Sequence, residues 1–249
     1  MTRPPDLTIV VPAYNEERRL PVSLARISEW LLSRTPALAA EVLVVDDGSQ
    51  DRTAAVAEKT AAGLGLDFRV VRLPQNRGKG VAVRDGVLAA AGARILVTDA
   101  DLSTPIEEVE KLLVAGAPVA IGSRAVDATL VKQRQSLFRV ASGKTFNLLV
   151  RVLAVSGIRD TQCGFKLFDR EAAREIFSRA SVDRFAFDVE ALLLARRLGY
   201  AIAEVPVLWF NSPDTRVGLG GGLEAFVALF RIRRRVARAL RRRPAPPSA

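Results

Sequence analysis

Asp99-Ala100-Asp101 sets two carboxylates two residues apart at the end of an apolar run. Where a chain leaves a sheet, such a pair can reach one hard divalent cation. With no histidine anywhere in the 249 residues, the ligands are oxygens only, which suits Mg2+ or Mn2+ completed by substrate phosphates. The same pattern also serves as a solvated loop capping a helix ahead of Pro105. Asp46-Asp47-Gly48-Ser49 offers two adjacent acids after another apolar run. One is enough for a turn or helix cap, and the other is left to accept from a base N–H or a ribose hydroxyl. Tyr14 can give a ring face to a nucleobase or simply pack. Asn76-Arg77-Gly78-Lys79-Gly80 opens a helix with two glycines and two cations. It is not the G-x-x-x-x-G-K-[ST] phosphate loop, yet its backbone amides and Lys79 can meet an anion. The missing histidine excludes Ser-His-Asp and Cys-His catalysis and every His-ligated metal. The single cysteine, Cys163, excludes an intramolecular disulfide, fits a reducing compartment and reads more simply as a small buried hydrophobe.

These clusters need a frame. Short β-branched runs at 7–11, 41–45, 68–72, 94–98 and 119–121 alternate with helical stretches at 21–33, 52–63, 80–91 and 105–115. That rhythm predicts a mostly parallel sheet flanked by helices, whose ligands sit beyond the carboxyl ends of the strands. Pro12-Ala13-Tyr14-Asn15-Glu16, the Asp46-Asp47 pair and Asp99-Ala100-Asp101 all fall at that edge. Further along, a helix is expected over 137–155, a strand over 162–168, a helix over 187–198 and a strand over 202–207. A glycine- and proline-rich loop follows at 211–222, ahead of a last helix.

VVPAYNEE, VVDDGSQDRT, NRGKG, DADLS and IGSR, in this order, resemble the family-2 glycosyltransferases. The run GIRDTQCGFKLF, with NRGKG, QRQSLFR and AFDVE, is similar more narrowly to dolichyl-phosphate β-glucosyltransferases, whose acceptors are polyprenyl phosphates. The resemblance spans roughly residues 6 to 235 and implies a single nucleotide-sugar-binding (GT-A type) domain over 1–222. A basic amphipathic helix over 223–243, packed on that domain or on membrane, and a disordered tail over 244–249 complete the expected organisation. It further implies that Pro12, Ala13, Tyr14, Glu16, Val45 and Asp47 hold the nucleoside. Lys79, Asp99, Ala100 and Asp101 would meet the diphosphate, Asp99 and Asp101 through the metal. Arg124, Lys166 and Arg216 are implied as charge clamps, with Asp160, Gln162 and Asp188 as further site residues. Asp188 and Glu190 equally fit a helix surface. The implied reaction is inverting transfer of a hexose, glucose from UDP-glucose foremost. DADLS resembles the mannosyl branch and keeps GDP-mannose as the alternative donor. A phosphate monoester has its second pKa near about 6, so it attacks as a dianion and a dedicated base is dispensable.

Composition bounds the rest. Hydrophobic residues make up 49% and charged residues 26%, an ordinary globular balance. No signal peptide and no membrane span are expected from the apolar runs. The net charge is +10, and eight of the thirteen residues from Arg231 to Arg243 are arginine. Phe226, Leu229, Phe230, Val236, Ala237 and Leu240 form a stripe beside them, which Arg233 interrupts. A basic amphipathic helix predicts docking on anionic lipid; a core-packed helix and a nucleic-acid tail are the other readings. The expected place is the cytoplasm, peripheral on the cytoplasmic membrane face, with a membrane-protein partner or a homo-oligomer as further associations. A sugar nucleotidyltransferase would show a glycine-rich loop after the first strand, which PAYNEE is not. Nucleic-acid binding is not expected, because acids clustered at strand ends repel phosphate unless a metal intervenes.

Overall fold

The computed structural model describes residues 4–132, 155–184, 186–210 and 222–241. Its centre is β1, Leu7–Ala13, buried along its whole length. β1 pairs in parallel with β2 (Ala40–Asp46) on one side and with β4 (Arg94–Val97) on the other. β3 (Phe68–Arg72) lies outside β2, also parallel. Beyond β4 come β6 (Lys166–Asp169), β5 (Val119–Ser123) and β7 (Ile202–Pro206), giving the order β3-β2-β1-β4-β6-β5-β7. Only β6 runs antiparallel to its neighbours, so the sheet is mostly parallel, as the alternating pattern predicts.

Successive side chains point to opposite faces of a strand, and the sheet uses both. Val10, Leu43, Val45, Ile95 and Val97 enter one core, under α3 (Lys79–Ala89), α5 (Arg170–Phe177), α6 (Phe187–Arg197) and α7 (Gly222–Arg241). Ile9, Val11, Val42, Val44 and Leu96 enter the other, with α1 (Leu20–Ser33), α2 (Thr53–Leu64) and α4 (Val109–Val114). α3 lies close on the sheet because Gly86 has no side chain: a Cβ there would stand 2.6 Å from Val10 and 2.7 Å from Val45.

Two expectations are corrected and one helix is new. The strand expected over 162–168 begins only at Lys166, because residues 160–163 curl so that the Gln162 N–H donates to Asp160 and the Cys163 carbonyl accepts from Lys166. The segment after it forms α5, burying Ala172, Ala173, Ile176 and Phe177, which no expectation covered. The stripe of α7 is rotated by roughly 60° from the one read off the sequence, at 100° per residue. Leu229, Ile232 and Val236 are buried in the core and Leu240 packs against it, while Phe230, Ala237 and Arg233 face outward. Arg233 therefore no longer interrupts the stripe. Phe226, the helix expected over 137–155 and the loop expected over 211–222 fall almost wholly outside the described side chains. Among the described residues no helix is long and apolar enough to cross a membrane.

Candidate active site

The loops leaving β1 and β2 are knitted together. The Asn15 N–H donates to Ser49 Oγ at 2.9 Å, the Gln50 N–H to Asn15 Oδ1 at 2.8 Å, and the Glu16 N–H to Thr53 Oγ1 at 2.7 Å. Asn15 has φ 55, a left-handed conformation that asparagine tolerates. The two acids after β2 divide their work. Asp46 closes the turn by accepting from the Ser49 N–H, while Asp47, almost fully buried, accepts from the Arg77 and Gly78 amides at 2.8 Å each. Asp47 thus anchors the Asn76–Gly80 loop, and its remaining lone pairs are what it can offer a ligand. Tyr14 and Glu16 are half-buried at this edge, and Pro12 and Ala13 are buried beside them. Val45 is different: it has no exposed surface and lies in the core under Gly86. It supports the site from beneath and presents nothing to a nucleoside.

The Asp99–Asp101 segment is held from several sides. Ser23 Oγ donates to the Ala100 carbonyl at 2.7 Å, the Leu102 N–H to Asp99 O at 3.0 Å, and the Ser103 N–H to Asp101 Oδ1 at 3.0 Å. Leu102 sits at φ 45, strained for a residue with a branched side chain and of the kind that gathers at functional sites. Lys79 pairs with Asp99. Desolvation works to raise the Asp99 pKa, but the Lys79 ammonium, with Lys166 and Arg124 behind it, holds it below the usual carboxylate range. Lys79 moves the other way, raised by Asp99, Asp188 and Asp101 against its own desolvation. Arg19 lies 3.7 Å from Asp101 and forms a two-point pair with Glu16.

The antiparallel strand brings the second half of the chain here. Val97 pairs with Lys166, so the residues before Lys166 run beside those after Val97, and Gly164 lies directly under the Asp99 carboxylate. A Cβ on Gly164 would stand 2.3 Å from Asp99 Oδ2. Lys166 is buried, donating to Asp188 at 2.5 Å and to the Cys163 carbonyl. Burial outweighs both nearby lysines and leaves the Asp188 pKa raised. Lys166 acts on Asp99 as a field from below and not as an open clamp. Asp160 is also buried; against that desolvation, Arg124 pushes its carboxyl down. Arg124 grips it with Nε at 2.7 Å, Nη2 at 2.9 Å and its own N–H at 3.0 Å, and lies 5.5 Å from the Trp209 ring centroid. Burial likewise raises the Cys163 thiol pKa, which suits the buried-hydrophobe reading. Gln162 is exposed at the rim. Glu190 is buried and accepts from Ser181 and Val182, which corrects its reading as a surface carboxylate. Arg216 lies outside the described residues.

Three residues escaped sequence reasoning. Glu204 on β7 accepts from Ser123 Oγ at 2.8 Å and from the Asp160 amide at 2.8 Å, buttressing the Arg124 pair. Arg19 and Gly164 are the others. Only Gly164 had a local signal, a glycine just ahead of a buried strand; Glu204 and Arg19 reach their partners across 44 and 82 positions.

The acids fit a hard cation. Asp99 stays ionised, its side chain 38% exposed, and already holds a positive group in its ammonium partner; Asp101 is 21% exposed. Among the described residues no group of three or more acids, histidines or cysteines gathers, so two protein carboxylates would leave the remaining positions to phosphate and water.

A family model described as Glycosyl transferase family 2 matches residues 8–177. The dolichyl-phosphate beta-glucosyltransferase of Homo sapiens is 46% identical over 225 residues, covering 85% of this chain and 69% of that protein. The Saccharomyces cerevisiae protein of the same name is 36% identical over 233 residues, covering 86% and 69%. Among solved structures, glucosyl-3-phosphoglycerate synthase from Mycobacterium tuberculosis, in complex with Mn2+, uridine-diphosphate and glucosyl-3-phosphoglycerate, superposes with a TM-score of 0.62. It is 23% identical and the match covers 98% of this chain and 82% of that one. At that identity the likeness is one of fold.

Proposed function

This chain belongs to glycosyl transferase family 2, and from that premise we propose that it moves glucose from UDP-glucose to dolichyl or another polyprenyl phosphate, inverting the anomeric centre. The observation that carries the proposal is the meeting of Asp99 and Asp101 with Lys79, Arg124 and buried Lys166 at the carboxyl edge of the sheet. The identity with dolichyl-phosphate beta-glucosyltransferases over most of the chain supports the sugar and the lipid.

Transfer needs a stabilised nucleoside diphosphate leaving group. Bound at Asp99 and Asp101, Mg2+ or Mn2+ would supply Lewis-acid stabilisation of that group. Lys79 and Arg124 add positive charge aimed at developing negative charge. Asp160 fixes the guanidinium plane of Arg124, and Asp47 fixes the backbone that carries Lys79. A dianionic acceptor phosphate needs no proton removed, which agrees with Asp47, Asp99, Asp101, Asp160 and Asp188 each being engaged with a cation or with amides.

The acceptor is a lipid, and the outer face of α7 carries exposed Arg231, Arg233, Arg234, Arg235, Arg238 and Arg241 beside exposed Phe230. We assign that face to an anionic membrane, with the enzyme peripheral on its cytoplasmic side. Radiolabel from UDP-glucose and from GDP-mannose, followed in parallel into organic-extractable lipid, tests the reaction. Glucose incorporation lost in excess EDTA is expected. A higher kcat/KM with GDP-mannose would overturn the sugar, and full turnover in EDTA would overturn the metal.

A further inference from the structure

The principal acids of the site each have a cation from this chain. Asp160 pairs with Arg124, Asp188 with Lys166, Glu16 and Asp101 with Arg19, and Asp99 with Lys79. The Lys166–Asp188 pair is buried on both sides. Lys79 is not: its side chain is 27% exposed at the cleft. Its ammonium occupies the carboxylate that a divalent cation would need.

The backbone beneath Lys79 cannot follow a ligand. Gly78 donates to Asp47, Val81 N–H donates to the Asp183 carbonyl at 3.2 Å, and a Cβ on Gly80 would stand 2.3 Å from the Val182 carbonyl. Glu190 in turn holds residues 181 and 182. What can move is the four-carbon stem, whose point charge is carried on freely rotating bonds. The first turn of α3 favours anions and not cations, so helix position does not hold the ammonium where it is; the acids do. Phe187 offers its ring 5.9 Å from Nζ.

We propose that Lys79 is a counter-ion exchange residue. It covers Asp99 while no divalent cation is bound, gives up the carboxylate when the cation arrives, and turns its ammonium to the donor diphosphate. The exchange rests on Asp99 and Asp101 being the cation ligands. It has a thermodynamic consequence: the free cation competes with Lys79, and an incoming diphosphate relieves that competition. Cation and nucleoside diphosphate then assist each other's binding by the same factor.

Mn2+ binding to the full chain, followed by electron paramagnetic resonance or calorimetry with and without UDP, tests it. UDP brings phosphate ligands of its own, so the diagnostic quantity is Mn2+ affinity in its absence. Lys79→Met should bind free Mn2+ about tenfold tighter than wild type, within the usual range of coupling factors, and should bind UDP more weakly at saturating Mn2+. Lys79→Gln should do the same and stands in if the methionine variant does not fold. Arg77→Met removes one exposed charge two residues away without touching Asp99, and should change Mn2+ affinity less than twofold. Equal Mn2+ affinity in wild type and both Lys79 variants would overturn the exchange, as would an equal gain in Arg77→Met. No Mn2+ binding by wild type, with or without UDP, would remove the cation site itself and the exchange with it.

Discussion

Gly164 shows how much one missing side chain can decide. Asp99 rests on it so closely that Gly164→Ala must push the carboxylate aside. Displacement of a reacting group by about 1 Å can cost roughly 10²-fold, and that loss in kcat is expected while the far-ultraviolet circular dichroism stays unchanged. Asp101→Asn should be the most damaging conservative change at the site; a variant at the wild-type rate would remove Asp101 from it. Asp160 gives a pH prediction. Its folded pKa lies below the unfolded value, so its pairing contributes stability that is complete above about pH 3.9, the unfolded value, and lost as pH falls through the folded pKa. Asp160→Asn should therefore lower stability at pH 7 by about 2–3 kcal/mol, a gap that closes in acid; Tm measured against pH reads it. Asp188 is shifted upward, so its ionisation costs the fold stability as pH rises. Asp99, Asp101 and Lys79 are legible from residue type and spacing and Arg124 from the family resemblance, and the four do meet at one edge. Val45 was misread because a strand residue next to an active loop can still point into the core.

Elements were legible where their pattern was long or locally complete. β1, β2 and β4 are β-branched runs bounded by turn residues, and each was read to within two residues. α5 was missed because eight residues bury only four side chains, too short a stripe to show a period. α7 is legible as a helix but not in its phase, since Phe230 and Ala237 extend an apolar stripe that packing against α6 does not use. Two substitutions separate the phases. Ile232→Ala should cost about 2–4 kcal/mol as a core truncation, whereas Phe230→Ala, at 44% exposure, should cost under about 1 kcal/mol. Thermal melts of both decide it.

For the whole molecule, the net charge of +10 and the outward arginines of α7 predict binding to anionic vesicles that weakens as salt rises, because exposed charges are screened over about 8 Å at physiological ionic strength. Changing Arg231, Arg234 and Arg238 together to glutamine should reduce turnover on vesicle-embedded acceptor far more than on a short soluble analogue, with Tm unchanged; equal losses on both would remove the membrane role. Truncating the helix would not be a clean test, since Ile232 and Val236 belong to the core. Those buried residues have one more effect. A helix held by Leu229, Ile232 and Val236, with Leu240 packed beyond them, cannot roll about its own axis, so its arginines keep a constant bearing relative to the sheet. On the anionic membrane proposed as its dock, such a protein would keep one preferred side down, and its search for a lipid would become a glide in two dimensions at a set attitude instead of a tumble in three.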